Sequence, residues 1–221
     1  MKRPANIALL CGAAAVILSC IIMLNLLKND TTMEILTGTY GGKIYRYSFD
    51  TESLEFTLLE KVGAENASYA IKDADNIYAV SETGDASGAY SFSVGSHTAM
   101  TADKRQTGAD PCFIMIYDDR ILTADYSGGS VTVFPLIEGS LGDSIQKLDF
   151  QGNGPVEGRQ ESSHIHQLKT IPMTDWILAS DLGADKIRLL RFENGSLTHK
   201  GDIDCPAGSG PRHMEFSKDH K

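Results

Sequence analysis

The chain has 221 residues, of which 42% are hydrophobic and 22% are charged. These values are ordinary for a globular protein of one or two domains. The formal net charge is −9, and no run of Lys or Arg interrupts the acidic balance. Because binding to nucleic-acid phosphates needs a clustered basic surface, this composition argues against a nucleic-acid partner.

Residues 1–30 differ from the rest of the chain. Lys2 and Arg3 precede an uncharged stretch of 21 residues, Ile7 to Leu27, and about 20 apolar residues span a bilayer as a helix. We expect residues 1–30 to be a signal or membrane anchor with an apolar helix. Positive charge before it predicts that the remaining chain lies outside the cytoplasm, exported or anchored in a bacterial-type cell envelope.

Three alternatives remain for this segment. It is also compatible with a secretory signal, although the apolar region of such a signal is usually about 7–15 residues long. A lipoprotein signal would place the lipid on Cys20, but uncharged residues continue beyond that position. A buried helix of a soluble protein is the third alternative, and it would make the protein cytoplasmic.

From Met33 onward, short apolar runs alternate with Gly, Asp, Asn and Ser, which predicts an all-β chain with frequent turns. The runs form a repeat with copies that begin at Ser68 ("SYAIKDADNIYAVSE"), Cys112 ("CFIMIYDDRILTADY"), His166 ("HQLKTIPMTDWILASDL") and Arg212 ("RHMEFSKDHK"). Each copy predicts a strand, a turn and a second strand. In the first three copies the second strand is expected to end at Ser81, Asp125 and Asp181.

These closing residues lie 44 and then 56 positions apart, and repeats of this length are typical of β-propeller blades. The first strand of a blade lines the central channel, so the four starting residues should face one axis. His164 lies two residues before His166 and should share its face. The preceding loop should carry Arg159 and Glu161 to the channel mouth. The next positions should instead pack between blades: Tyr69, Phe113, Gln167 and His213.

An ordered series of motifs covers the chain from about Ile35: "GTY" (38–40), "YAVSE" (78–82), "GADPC" (108–112), "ADYSGGSVTVFPL" (124–136), "RQESSHIHQ" (159–167), "ASDLGADKI" (179–187) and "GSGPRHMEF" (208–216). The series resembles the propeller lactonase family, whose named member is a bacterial 6-phosphogluconolactonase. The resemblance implies a seven-bladed propeller over residues 31–221. Only about four blades can be counted, so we expect an N-terminal part of a longer propeller. Phe113 and Asp125 depart from the family pattern, which commonly has histidine and asparagine there.

The resemblance implies hydrolysis of a small-molecule sugar lactone to the aldonic acid, without a cofactor. Such a reaction needs a general base for water and a contact for the developing oxyanion. We expect His166 to be the base or an orienting group and Arg212 to be the anion contact. His164 and Glu161 are further catalytic candidates. The predicted substrate-binding residues are Arg159, Asp181 and Asp125.

Each candidate also has a structural alternative. His164 would satisfy a loop carbonyl, Arg159 and Glu161 would form a solvated pair, and Asp125 and Asp181 would bind turn amides. The His-x-His pair offers two zinc ligands where at least three are needed, so no metal is expected. Cys112 and Cys205 are expected to be thiols rather than a disulfide.

Two other functions remain open at this stage. The same channel groups would serve a lactone-forming cyclase or isomerase, and a propeller is also a common scaffold for binding without catalysis. The chain contains no GxSxG elbow and no Walker loop, which argues against a serine hydrolase or a nucleotide enzyme.

Overall fold

A computed structural model describes residues 31–94 and 103–218 of the chain. The predicted apolar helix and anchor in residues 1–30 lie outside the described residues. Within the described ranges, no helix is long and apolar enough to cross a membrane.

The described residues contain sixteen strands and one short 3-10 helix, Gly84–Ala86. The strands are β1 Thr32–Thr37, β2 Lys43–Asp50, β3 Phe56–Gly63, β4 Ala70–Asp73, β5 Asn76–Ser81, β6 Gly88–Ser93, β7 Asp103–Gln106, β8 Pro111–Tyr117, β9 Arg120–Asp125, β10 Ser130–Ile137, β11 Ser140–Leu141, β12 Gln146–Asp149, β13 Ile165–Thr170, β14 Trp176–Asp181, β15 Lys186–Glu193 and β16 Ser196–Asp204.

The strands form four sheets, each built from neighbours in sequence, and the pairings within the last three are antiparallel. Their orders are β1-β2-β3, β4-β5-β6-β7, β8-β9-β10 with both β11 and β12 on β10, and β13-β14-β15-β16. This is an all-β, propeller-like fold, as the repeat predicts.

The described chain divides into two compact units. The smaller one combines residues 31–34 with Ser48–Thr57, and its turn is organised by Asp50, whose Oδ1 accepts the backbone N–H groups of Glu52 and Ser53 at 2.9 Å each. The larger unit comprises residues 35–47 and the described residues from 58 onward. All candidate site residues belong to the larger unit.

The predicted strand ends are confirmed for the first three copies of the repeat. Strands β5, β9 and β14 each have six residues, and they end at Ser81, Asp125 and Asp181. The fourth copy was predicted wrongly to begin with a strand, because residues 205–218 form none. In its place, the backbone of this segment binds side chains: Ser180 Oγ donates to the Arg212 carbonyl at 2.6 Å, and the Met214 N–H donates to Gln167 Oε1.

The inner strands β8 and β13, which are the first strands of their sheets, each contain a β-bulge. The pairing of β8 with β9 shifts between Pro111 and Phe113, and the pairing of β13 with β14 shifts between Ile165 and Gln167. Cys112 and His166 are therefore the extra residues at matching places in successive sheets. A bulge bends the strand and redirects a side chain, so strict alternation does not hold at His166.

The apolar core of the larger unit lies between these sheets. Phe113 is buried in one cluster with Leu122, Ile165 and Leu168, and Gln167 is also buried. Both were expected to pack. Tyr69 and His213 are exposed, although the Tyr69 ring still lies 4.7 Å from that of Phe113.

Candidate active site

A direct hydrogen bond joins the two principal candidates of the sequence analysis. Arg212 Nε donates to His166 Nε2 at 2.9 Å. Because Nε2 accepts, the proton of the neutral ring resides on Nδ1, which is buried without a hydrogen-bond partner among the described residues. Burial, together with the charges of Arg212 and His213, lowers the pKa of His166 to about 4. His166 is therefore neutral at pH 7 and orients the guanidinium of Arg212.

His164 is held by different contacts. Its Nδ1 lies 2.8 Å from the Tyr126 carbonyl oxygen. Because a carbonyl oxygen only accepts, Nδ1 carries the proton of the neutral ring, and the lone pair is on Nε2. The ring stacks on Tyr126 with centroids 4.4 Å apart. Among the described residues His164 Nε2 has no hydrogen-bond partner, so of the two histidines His164 is the one with a ring nitrogen available to a water molecule.

Tyr126 and His213 complete this group. The His166 ring lies edge-on to two other rings. Its centroid is 5.8 Å from that of Tyr126 and 4.9 Å from that of His213. Sequence reasoning missed both residues. His213 was assigned to packing by strand alternation, which fails because its segment is not a strand. Tyr126 directly follows the closing residue Asp125, and extending the repeat by one position would have singled it out.

The aligned residues Cys112 and Ser68 also contact side chains or backbone of this part of the larger unit. Cys112 Sγ lies 3.4 Å from the His166 carbonyl oxygen, and burial raises the pKa of this thiol to about 12, so it stays protonated. Ser68 donates to Glu82 Oε1, and the Tyr40 hydroxyl donates to Glu82 Oε2 at 2.8 Å. Tyr40 and Glu82 were not among the predicted site residues.

Asp125 was predicted to bind substrate, and the structure corrects this. The carboxylate has no exposed surface and accepts hydrogen bonds from protein groups: the hydroxyls of Thr123, Ser130 and Thr132 at 2.8, 2.8 and 2.6 Å and the Gly108 N–H at 3.2 Å. It is enclosed within the sheet, where no ligand can reach it. Burial raises its pKa to about 6.

Asp181 occupies the equivalent place and is corrected in the same way. Its carboxylate is fully buried against Arg188, with an Nη2–Oδ2 distance of 2.6 Å. It also accepts the Ser163 hydroxyl at 2.6 Å and the His164 backbone N–H at 2.9 Å. Asp181 therefore positions the loop that carries His164.

The two loop candidates are both exposed. Glu161 Oε1 accepts the Gly158 N–H and so closes a tight turn. Arg159 lies close enough for its charge to contribute to the lowered pKa of His166. Cys112 and Cys205 are half-buried free thiols, and the described residues contain no group of three side chains suited to a metal ion.

Comparison with known proteins identifies the family of the chain. A sequence model of the family described as "Lactonase, 7-bladed beta-propeller" matches residues 34–221. The chain belongs to this family.

Three proteins illustrate what this lactonase-family chain is similar to. It is 32% identical to the 6-phosphogluconolactonase of Bacillus subtilis over 199 residues, covering 83% of this chain and 56% of that protein. A solved structure from Bacteroides fragilis, provisionally named a 6-phosphogluconolactonase, has a TM-score of 0.80 at 33% identity and covers 88% of this chain and 60% of that one. The periplasmic gluconolactonase PpgL of Pseudomonas aeruginosa has a TM-score of 0.72 at 27% identity, with coverages of 86% and 60%. The chain thus spans little more than half the length of these relatives.

Proposed function

We propose that the protein hydrolyses a sugar lactone, of the 6-phosphogluconolactone type, to the aldonic acid. The observation that carries the proposal is the guanidinium of Arg212, held by a neutral His166 near a second histidine with a free ring nitrogen. Family membership and the names of the relatives support the same reaction class.

The proposed reaction begins with water. His164 Nε2 accepts a proton as the water oxygen forms a bond to the lactone carbonyl carbon, and Arg212 binds the resulting oxyanion. The intermediate then collapses and the ring C–O bond breaks. The proton passes from His164 to the departing ring oxygen, which becomes a hydroxyl group of the acid. No cofactor is consumed in this sequence.

Arginine suits this position because it stays charged and presents several donors. Among the described residues, the Nε–H group of Arg212 donates to His166. The planar guanidinium retains four N–H groups for an oxyanion, a carboxylate or a phosphate. The same group would then bind the acid product. Since His166 stays neutral at pH 7, it adds no second charge that would compete for the anion.

The test follows acid release from glucono-δ-lactone and 6-phosphoglucono-δ-lactone at constant pH, with spontaneous hydrolysis subtracted. Arg212→Ala is expected to lower kcat/KM by about 100-fold or more, because an oxyanion contact is removed. Arg191→Ala is the matched control, since Arg191 pairs with Asp175 on the outer part of its sheet and should keep the wild-type rate. Equal rates in all three proteins would contradict the proposal.

We also propose that the protein is exported or anchored in the cell envelope. Support comes from the uncharged stretch at residues 7–27 and from the periplasmic name of the Pseudomonas relative. Residues 1–30 fused to a phosphatase that is active only outside the cytoplasm should give an active reporter. An inactive fusion of normal abundance would contradict this placement.

A further inference from the structure

Glu82 gathers hydroxyl groups from two separate parts of the fold. It directly follows β5 and is half-buried. Tyr40, from the loop between β1 and β2, donates its hydroxyl to Oε2 at 2.8 Å, and Ser68, before β4, donates to Oε1. A carboxylate has about four acceptor sites, so each oxygen retains room for a further donor. The described contacts therefore leave part of Glu82 available to a ligand.

Glu82 and Arg212 approach the same inner-strand residue, Cys112, from two different segments, the end of β5 and the strandless stretch after β16. Tyr69, next to Ser68, has its ring 4.7 Å from that of Phe113, next to Cys112, so the Glu82 group lies beside Cys112. In agreement with this, the charge of Glu82 raises the pKa of the Cys112 thiol and that of Arg212 lowers it. Cys112 itself contacts the His166 carbonyl oxygen, and His166 holds Arg212. An acceptor group and a cationic group thus border one region lined by Ser68, Cys112 and His166.

Among the described residues, the hydrogen-bond partners of these two charged side chains are neutral. Glu82 accepts from a phenol and a serine hydroxyl, and the Arg212 side chain donates to a neutral imidazole. A ligand that offers donors at one end and an oxyanion at the other would complement both. A lactone ring with several hydroxyl groups has this distribution, because its hydroxyls donate and its carbonyl oxygen becomes negative during hydrolysis.

We propose that Glu82, supported by Tyr40 and Ser68, is a subsite that binds the ring hydroxyls of the lactone and so selects polyhydroxylated lactones over plain ones. This inference rests on the proposed lactonase function. Glu82 acts on substrate affinity, while Arg212 and His164 act on the chemical step.

The experiment compares wild type with Glu82→Gln on glucono-δ-lactone and on δ-valerolactone, which lacks the hydroxyls. The substitution keeps the shape of Glu82 and removes its charge, and a charged acceptor binds hydroxyls more strongly than an amide does. KM for glucono-δ-lactone should rise about tenfold or more, with kcat/KM for δ-valerolactone unchanged within about twofold. Tyr40→Phe, which keeps the ring, should raise the same KM by a smaller factor.

An equal loss on both lactones would overturn the subsite, since it would indicate a role in chemistry or folding. An unchanged KM for glucono-δ-lactone would overturn it as well. The matched control is Glu193→Gln on β15, which pairs with exposed Lys200 and should leave both substrates unaffected.

A second readout separates the subsite from the lactonase proposal. Calorimetry would measure binding of D-glucono-1,5-lactam, a stable analogue, and of δ-valerolactam. If wild type hydrolyses neither lactone, the proposed function fails, and tighter binding of the hydroxylated lactam that is lost in Glu82→Gln would still support the subsite. Equal binding of the lactam by both proteins, or no binding by wild type, would overturn it.

Discussion

His164 is the side chain through which the proposed chemistry passes a proton. Its proton is fixed on Nδ1 by the Tyr126 carbonyl, and its backbone is fixed by Asp181. Such positioning is what a general base requires, since its lone pair must meet water in one orientation. The arrangement also explains why the more deeply buried His166, whose lone pair is occupied by Arg212, serves a different purpose.

We expect His164→Ala to lower kcat on a sugar lactone by about 100-fold or more, the usual contribution of a positioned base. His199→Ala is the matched control, since His199 lies exposed on β16 against Asp202. A folded variant with wild-type kcat would assign the base elsewhere.

At the scale of single residues, the sequence predicted which side chains lie together better than it predicted what each side chain does. The repeat placed His166 and Arg212 at equivalent positions, and the structure joins them across 46 residues. The tautomer of each histidine could not be read from the sequence, because it depends on a carbonyl and a guanidinium brought in by other segments. Glu82 was missed although it occupies the same place after β5 as Tyr126 does after β9.

The residues that end β9 and β14 occupy the same position of the repeat but have different hydrogen-bond partners. Asp125 and Asp181 both end a second strand, and the residue seven positions later faces each of them. That residue is Thr132 in one sheet and Arg188 in the next. One buried carboxylate is therefore surrounded by neutral donors and the other by a cation. The sequence predicted the shared position, but the partner depends on the register of the third strand.

We expect Arg188→Met to lower the free energy of unfolding by about 3–5 kcal/mol, because it leaves the Asp181 charge buried without its partner. Urea unfolding would measure the change. Arg191→Met is the control three positions further along the same β15, where the partner Asp175 is exposed, and it should cost at most about 1 kcal/mol. Similar losses of unfolding free energy in both variants would show that the buried ion pair stabilises the fold no more than the exposed pair does.

The neutral surroundings of Asp125 predict a pH dependence of stability. Its folded-state pKa of about 6 lies above the ordinary value of 3.8, so the folded protein binds a proton more readily than the unfolded chain does. Wild type should therefore gain stability relative to Asp125→Asn as the pH falls from about 7 to about 4. His166 acts in the opposite direction in this window, because its folded-state pKa is lowered. Since the variant keeps His166, the difference between the two proteins isolates Asp125.

Urea unfolding of both proteins at several pH values between 4 and 8 measures that difference. A difference that stays constant over this range would contradict the raised pKa of Asp125. A difference that changes in the opposite direction would show that the folded protein stabilises the charged carboxylate.

For the molecule as a whole, the sequence predicted the architecture because the strand pattern is local. The ends of β5, β9 and β14 follow from alternating apolar residues and turn-forming residues. The bulges at Cys112 and His166 left no mark in that pattern, since an inserted residue does not alter composition. They nevertheless determine where the inner side chains point, and the site depends on them.

Two differently charged regions lie beside each other in the larger unit. They are connected through Cys112, which contacts the His166 carbonyl oxygen and adjoins the segment of Ser68 through the Tyr69–Phe113 ring contact. Arg212 and the histidines form one, and Glu82 with Tyr40 forms the other. This separation of an anion contact from a hydroxyl contact is the property of the whole fold on which the proposed lactone specificity depends.

The measurement that tests the central claim most directly is product identification with glucono-δ-lactone labelled with ¹³C at the carbonyl carbon. Carbon-13 spectra recorded over time distinguish the carboxylate of the free acid from the starting lactone and from an isomeric ring. We predict that wild type accumulates the carboxylate well above the spontaneous rate and that Arg212→Ala returns it to that rate. Lactone loss at the spontaneous rate in wild type, or conversion to another ring, would contradict hydrolysis at this site.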